Sequence, residues 1–411
     1  VNAVPLRRNR DFVLLQAGQL LSNLGHQLTV IAYPLLVLTL TGSPAKAGLV
    51  GFARILPRAL FALPAGMVAD HWNRKWLMVG SDAVRVVATG VLAVAIALEA
   101  GGFWWIPLIA FVDGAAGAFF SAAYPGAVRS VVPVQQLPDA MAVQTGRGAV
   151  VQLAGAPVGG ALFTIARALP FVVDVFSYAF SLASVLLMHV PFQGERAPDA
   201  TSLRSRVAEA VRYMWRQPFL RTSALIFGPL NFVAFSLLFS LVVIGNDQGL
   251  GGGAIGLLLS AFFGVALAGT FLAKHVRAAL PPWGVLILEL WTWTCCAAFL
   301  VWPSVYVLAI SILPSALAMP STDSVVHGYR IAMTPERLLG RAEAVWATFA
   351  VAMATFAPLA VGYVIQEASP RAAIGVCAGL ALVLALWATL SPAIRAAPSL
   401  EHLDEVSRQT A

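Results

Sequence analysis

Apolar residues in this chain come in long blocks rather than in narrow amphipathic stripes. Twelve blocks are long enough to cross a bilayer as helices: 12–39, 47–69, 76–98, 103–127, 139–166, 169–190, 219–245, 254–273, 283–302, 305–327, 342–366 and 372–391. Most are joined by short polar turns. The exception, Pro191 to Pro218, is polar and rich in arginine, with Arg196, Arg204, Arg206, Arg212 and Arg216. Within it Leu203, Val207, Val211 and Met214 recur at spacings of four, four and three, which predicts an amphipathic helix lying on a membrane surface. The predicted organisation is all-α and integral to the membrane. It has a six-helix bundle over 1–190, a linker over 191–218, a second six-helix bundle over 219–392 and a tail over 393–411.

Composition narrows the function classes. Hydrophobic residues make up 59% and charged residues 11% of the 411, with mean hydropathy +0.81. A soluble protein of this size could not cover its surface with so few charges, which excludes soluble enzymes, nucleic-acid binders and secreted disulfide scaffolds. The net charge of +7 reflects cations gathered on one side of the membrane. With both termini placed in the cytoplasm, 19 of the 26 Lys and Arg fall in inside segments. Only Lys46, Arg167 and Arg371 fall outside, and Arg54, Arg58, Arg85 and Arg147 lie within spans. Arg7-Arg8 before an apolar run could pass for an export signal, but that run is too long and has no small-x-small site, so a retained first span is expected. Cys295, Cys296 and Cys377 sit in apolar runs and are expected to be buried small hydrophobes. The six histidines are scattered without ligand spacing, and no phosphate-binding glycine loop occurs, so neither metal, cofactor nor direct ATP use is expected.

The two halves repeat each other. Gly66 and Gly269 are 203 apart, as are Arg74 and Arg277. Pro133, Leu137 and Ala140 recur as Pro335, Leu339 and Ala342 at an offset of 202, and Ala156-Pro157 recurs as Ala357-Pro358 at 201. A six-plus-six parallel repeat is a transporter architecture.

Between spans two and three stands Gly66-x-x-x-Asp70-x-x-x-Arg74-Lys75. Gly66 permits close helix approach, and Asp70 can pair with Arg or accept from a helix N-terminus. The segment resembles the signature of the major facilitator superfamily, with Asn73 where Gly is usual, a residue that tolerates positive φ. Span five carries Gly155-Ala-Pro157-Val-Gly159-Gly160, similar to the antiporter motif of that superfamily with Ala156 inserted; Pro157 would supply a flexing point. GQLLSNLGHQLTVIAYPLLVLTLTGS in span one, ARILP, SDAVR, VVPVQQLPDA and MTPERLLGRA resemble the enterobactin-exporter and macrolide-efflux branch. His26 stands where that branch often has Asp. The resemblance implies the major facilitator fold, with substrate bound near the midplane between the two halves. It also implies a cytoplasmic latch of Gly66, Asp70, Arg74, Lys75, Arg337 and Arg341.

Ionisable groups inside spans are costly and are functional candidates. Asp113 in span four and Glu289 in span nine have no basic neighbour within a helical turn, so both, with His26, are candidate proton carriers. Asp113 must be protonated, exposed to water in the central cavity, or paired with an Arg from another span such as Arg147. Asp82 and Arg85, three apart, can pair with each other. Asp323 lies near the cytoplasmic end of span ten and Asp174 near the outer end of span six, and Arg58 of span two can reach an interface or a partner. Arg54, Arg147, Trp291, Trp293, Phe232 and Phe235 are candidates to line a cavity. The expectation is a proton-coupled exporter of a small amphipathic molecule (a drug, a macrolide or a siderophore-like compound) in a bacterial cytoplasmic membrane. An importer or uniporter is the alternative, and a scaffold or membrane enzyme the reading from another class. Expected partners are the substrate, protons and membrane lipid, with no nucleic acid.

Overall fold

A computed structural model describes residues 5–190, 192 and 203–395, without the side chains of 203–207, 336 and 337. Arg196, the tail beyond 395 and the side chains of Arg204, Arg206 and Arg337 therefore lie outside the described residues.

Among the described residues the elements are helical, and twelve helical stretches are long and apolar enough to cross a membrane. The first six spans are α1 (Arg10–Thr41), α2 (Pro44–His71), α3 (Arg74–Ala97), α4 (Trp105–Val131), α5 (Leu137–Ile165) and α6 (Leu169–Leu186). The linker forms α7 (Leu203–Arg216). Spans seven and eight are α8 (Pro218–Asp247) and α9 (Gly252–Ala279). Span nine is α10 (Pro282–Trp293), a 3₁₀ turn (Thr294–Ala297) and α11 (Ala298–Val301). Span ten is α12 (Val305–Ser311) and α13 (Leu313–Met333); α14 (Glu336–Glu367) and α15 (Pro370–Leu390) complete the set, and α16 (Pro392–Arg395) follows.

Local chemistry sets the ends. Asn9 caps α1 by accepting from the Phe12 amide at 3.1 Å, and Gly42 closes it at φ 61°, a left-handed value. Ser43 then caps α2, with Pro44 in its first turn. The sequence pattern did not reveal the breaks in spans nine and ten. In span nine Thr292 and Thr294 donate to the carbonyls of Glu289 and Trp291, each at 2.6 Å, where hydroxyls compete with the helical ladder.

The chain packs as two compact units, Val1–Ala197 with Gly245–Ser260, and Pro198–Ile244 with Ala261–Ala411. In the first, α1 packs on α2, α5 and α6, α2 on α4, and α3 on α4 and α6. In the second, α10 packs on α13 and α15, and α14 on α7 and α15.

Three expectations are corrected. Cys295 is exposed, while Cys296 and Cys377 are buried; Cys295 and Cys296 are neighbours in the same 3₁₀ turn and point to different sides of it. On α7, Met214 is buried with Ala210 while Val211 is exposed, so the expected membrane face is split between docking and exposure. Gly66 has open space where a Cβ would be and mediates no close approach.

Candidate functional site

A buried polar network crosses the first unit. Arg85 of α3 donates from Nε to Asp113 Oδ1 at 3.3 Å, from Nη1 to Asp82 at 3.4 Å and from Nη2 to the Tyr178 hydroxyl at 2.8 Å. Its guanidinium also lies 3.9 Å from the Tyr178 ring centre. Arg85 is therefore the partner of Asp113, in place of the suggested Arg147, and Asp113 is not unpaired. From α2, Arg54 Nη2 donates to Thr29 Oγ1 at 2.7 Å, to the His26 carbonyl at 2.9 Å and to His26 Nδ1 at 3.0 Å. With Nδ1 accepting from Arg54, His26 stands 3.9 Å from Asp113 without a hydrogen bond between them. Asp174 of α6 accepts from Thr29 at 3.4 Å and from Ser177 at 3.1 Å. Gly25 lets α1 approach here, since a Cβ would meet Ser177 and Asp174. Arg58 is exposed. Sequence reading missed Tyr178 and Thr29; the available signal was a hydroxyl inside an apolar block, which must find a partner.

Arg147 serves a separate cluster. It donates to Gln16 Oε1 at 2.7 Å and to the Tyr124 hydroxyl at 3.4 Å. With Phe12, Val13, Gln16 and Leu20 it lines a cavity of about 810 Å³ in the first unit.

The small residues of span five permit backbone contacts. A Cβ on Gly155 would meet Gln27, on Gly159 the backbone of Leu28, and on Gly160 the carbonyl of Gly252. Gly256 sits against Ala156 and Pro157, and Ser260 donates to the Leu153 carbonyl at 2.7 Å. Helix α5 runs unbroken through Pro157.

The signature residues tie helix ends together within the first unit. Asn73 has φ −64° and caps α3, accepting from the Lys75 amide at 2.9 Å and that of Trp76 at 3.4 Å; positive φ is not needed. Lys75 Nζ donates to the carbonyls of Met188 at 2.6 Å and Leu186 at 3.1 Å, at the end of α6. Arg74 lies 3.8 Å from Asp70, which is exposed, and its guanidinium occupies the space that a Cβ on Gly126 would need. Gly126, rather than Gly66, is thus the glycine that the signature requires. In the second unit Arg341 pairs with Glu209 of α7 at 3.3 Å.

The second unit has its own cavity, of about 290 Å³. Its lining includes Phe227, Glu289, Trp293, Asp323, Arg330 and Trp346. Glu289 is 4% exposed. Its Oε1 accepts from Trp293 Nε1 at 3.3 Å, and its Oε2 has no hydrogen-bond partner among the described residues. Arg330 is held by Glu343, with Nε to Oε1 at 2.8 Å and a second contact to Oε2, and it lies 4.6 Å from the Trp346 ring centre. His327 Nδ1 lies 3.1 Å from Arg330 Nη2. Of the aromatics expected at a cavity, Trp293 alone lines this one. Trp291 donates to Thr389 at 3.2 Å, Phe232 is half-buried and Phe235 is exposed.

Twelve helical stretches long and apolar enough to cross a membrane, among the described residues, with ionisable groups held inside them, define a multi-pass membrane protein. Residues 2–410 match the family described as transmembrane secretion effector, and the chain belongs to that family. It is 27% identical to the multidrug efflux pump Tap of Mycolicibacterium fortuitum over 52% of this chain and 54% of that protein. It is 22% identical to macrolide efflux protein A of Streptococcus pyogenes over 45% and 46%. The chain spans about half the length of these relatives. The fold matches a bacterial homologue of the lysosomal transporter Spinster (TM-score 0.74, 16% identity, 95% of this chain and 98% of that one). It also matches a bacterial homologue of the iron transporter ferroportin (TM-score 0.72, 16% identity, 94% and 99%). These relatives are membrane transporters rather than enzymes.

Proposed function

We propose that the chain is a secondary active exporter of a small amphipathic molecule, driven by inward proton flow and working by alternating access. Its place is a bacterial cytoplasmic membrane, with both termini in the cytoplasm. The names of its relatives, multidrug and macrolide efflux, support the direction of transport and the substrate class. The observation that carries the coupling is Glu289. It is a buried carboxyl on a cavity wall with one oxygen left without a hydrogen bond, and the nearby Arg330 is already neutralised by Glu343. Such a group can hold a proton in one state of the cycle and release it in another. Asp113, bound by Arg85, then serves as a fixed counter-charge, with Arg54 and His26 beside it.

Proteoliposomes test this with a hydrophobic macrolide. Glu289→Gln abolishes ΔpH-driven accumulation and retains downhill exchange. Full accumulation by the variant would move the carrier to Asp113 or His26. Wild-type transport indifferent to ΔpH would replace the exporter with a uniporter.

A further inference from the structure

Helix α7 has two different sides. One is docked within the second unit: Ala210 and Met214 are buried, the Tyr213 hydroxyl donates to the Met333 carbonyl at the end of α13, and Glu209 pairs with Arg341 of α14. The other side is open. Val211 is 40% and Trp215 52% exposed, one helical turn apart. Arg212 and Arg216, also one turn apart, lie on the adjoining strip and are exposed, as is Arg221 in the first turn of α8. None of these three guanidinium groups has a hydrogen bond or ion pair among the described residues.

An apolar strip beside a basic strip is the arrangement that lets a helix rest in the headgroup layer. Depth agrees, because α7 docks on the ends of spans ten and eleven and leads through Gln217 into span seven at Pro218. Trp215 therefore lies at the level where indole rings prefer the interface. Charge agrees as well. Between 203 and 221 the sequence has five Arg and one acid, Glu209, and that acid is engaged by Arg341.

We propose that the open side of α7 binds an anionic phospholipid of the cytoplasmic leaflet. Arg212, Arg216 and Arg221 hold the headgroup phosphate, and Val211 and Trp215 lie against the acyl chains. This goes beyond the transport reading and does not depend on Glu289. Because α7 is fastened to the ends of α13 and α14, the bound lipid fixes the height of that helix relative to the second unit's spans.

The full-length protein, purified in mild detergent with equal phosphatidylglycerol and phosphatidylcholine, is analysed for retained lipid by native mass spectrometry. Wild type retains phosphatidylglycerol preferentially. A basic side chain near an anionic surface contributes roughly 1 kcal/mol, so each of Arg212→Gln, Arg216→Gln and Arg221→Gln cuts that preference about fivefold. The triple Gln variant removes it, and the triple Lys variant keeps most of it. Brominated phosphatidylglycerol quenches wild type more than Trp215→Phe. Equal retention of the two lipids by wild type would overturn the proposal. So would unchanged retention in all three single variants, or a Lys variant as weak as the Gln variant. If the triple Gln variant fails to fold, the single variants decide.

Discussion

Asp113 and Glu289 are both carboxyls buried in spans, yet their surroundings set them apart. Asp113 has a guanidinium at 3.3 Å, and Arg85 is shared with Asp82 and Tyr178. Neutralising one member of a buried pair leaves the other charge short of a partner. Asp113→Asn should therefore lower stability by about 3 kcal/mol, the low end for such a loss because Asp82 remains on Arg85. Glu289→Gln keeps an oxygen for the Trp293 indole and removes no ion pair, so its cost should stay under about 1 kcal/mol. Thermal unfolding of the two purified variants in the same detergent checks this; equal losses would mean that Glu289 is structurally paired. The sequence showed that these residues were ionisable and deep, because hydropathy places depth. It could not show which cation reaches Asp113, because Arg85 is 28 residues away in another helix. A helical-turn search looks only along one helix and offers Asp113 no cation, and nothing in the spacing distinguishes Arg85 from Arg147 as the cation that reaches it from another span.

Between residues and the whole, the elements explain what the signature loop does. Lys75 closes the C-terminal end of α6 and Arg74 fills the space over Gly126, while Asp70 remains at the surface. Asp70 is exposed although Arg74 is buried, and an i,i+4 pair whose carboxylate stays in solvent is worth roughly 0.3–0.5 kcal/mol. Asp70→Asn should thus leave the unfolding temperature almost unchanged. A side chain at Gly126 must displace the Arg74 guanidinium, so Gly126→Val should cost about 1–3 kcal/mol. If Asp70→Asn destabilises more than Gly126→Val, the packing account of the loop is wrong. Asp70→Asn should still cut transport at least tenfold; a charge-assisted contact of about 1.5–3 kcal/mol is enough for that if it forms in one transport state only. Normal transport by a normally folded Asp70→Asn would reduce the signature to a turn. Helix number and approximate ends were legible, since apolar block length and caps such as Ser43-Pro44 are local signals. The 3₁₀ turn at Thr294–Ala297 was not, because apolar residues continue straight through it and only the threonine hydroxyls mark the change.

At the scale of the whole molecule, charge distribution decides how the helices lie across the bilayer. Cytoplasmic loops retain Lys and Arg because moving them across the membrane during insertion is unfavourable. Here one orientation gives 19 cations inside and three outside, a bias spread over both halves rather than resting on one loop. Arg74 and Lys75 mark the loop after span two, and Lys274 and Arg277 the end of span eight, its counterpart in the repeat. An even number of spans then returns the chain to its starting side, so the segment between spans six and seven shares a side with both ends. The lipid contact proposed for α7 requires that side to be the cytoplasm, where the leaflet carries anionic lipid. Reporter fusions at Asp199 and after Pro398 should both read cytoplasm in a bacterial host, and fusions at Gly101 and Gly251 should read periplasm. A periplasmic signal at Asp199 would break the six-plus-six arrangement and place α7 at the wrong leaflet. A cytoplasmic signal at Asp199 with a periplasmic one after Pro398 would instead leave the first half intact and require an odd number of crossings in the second.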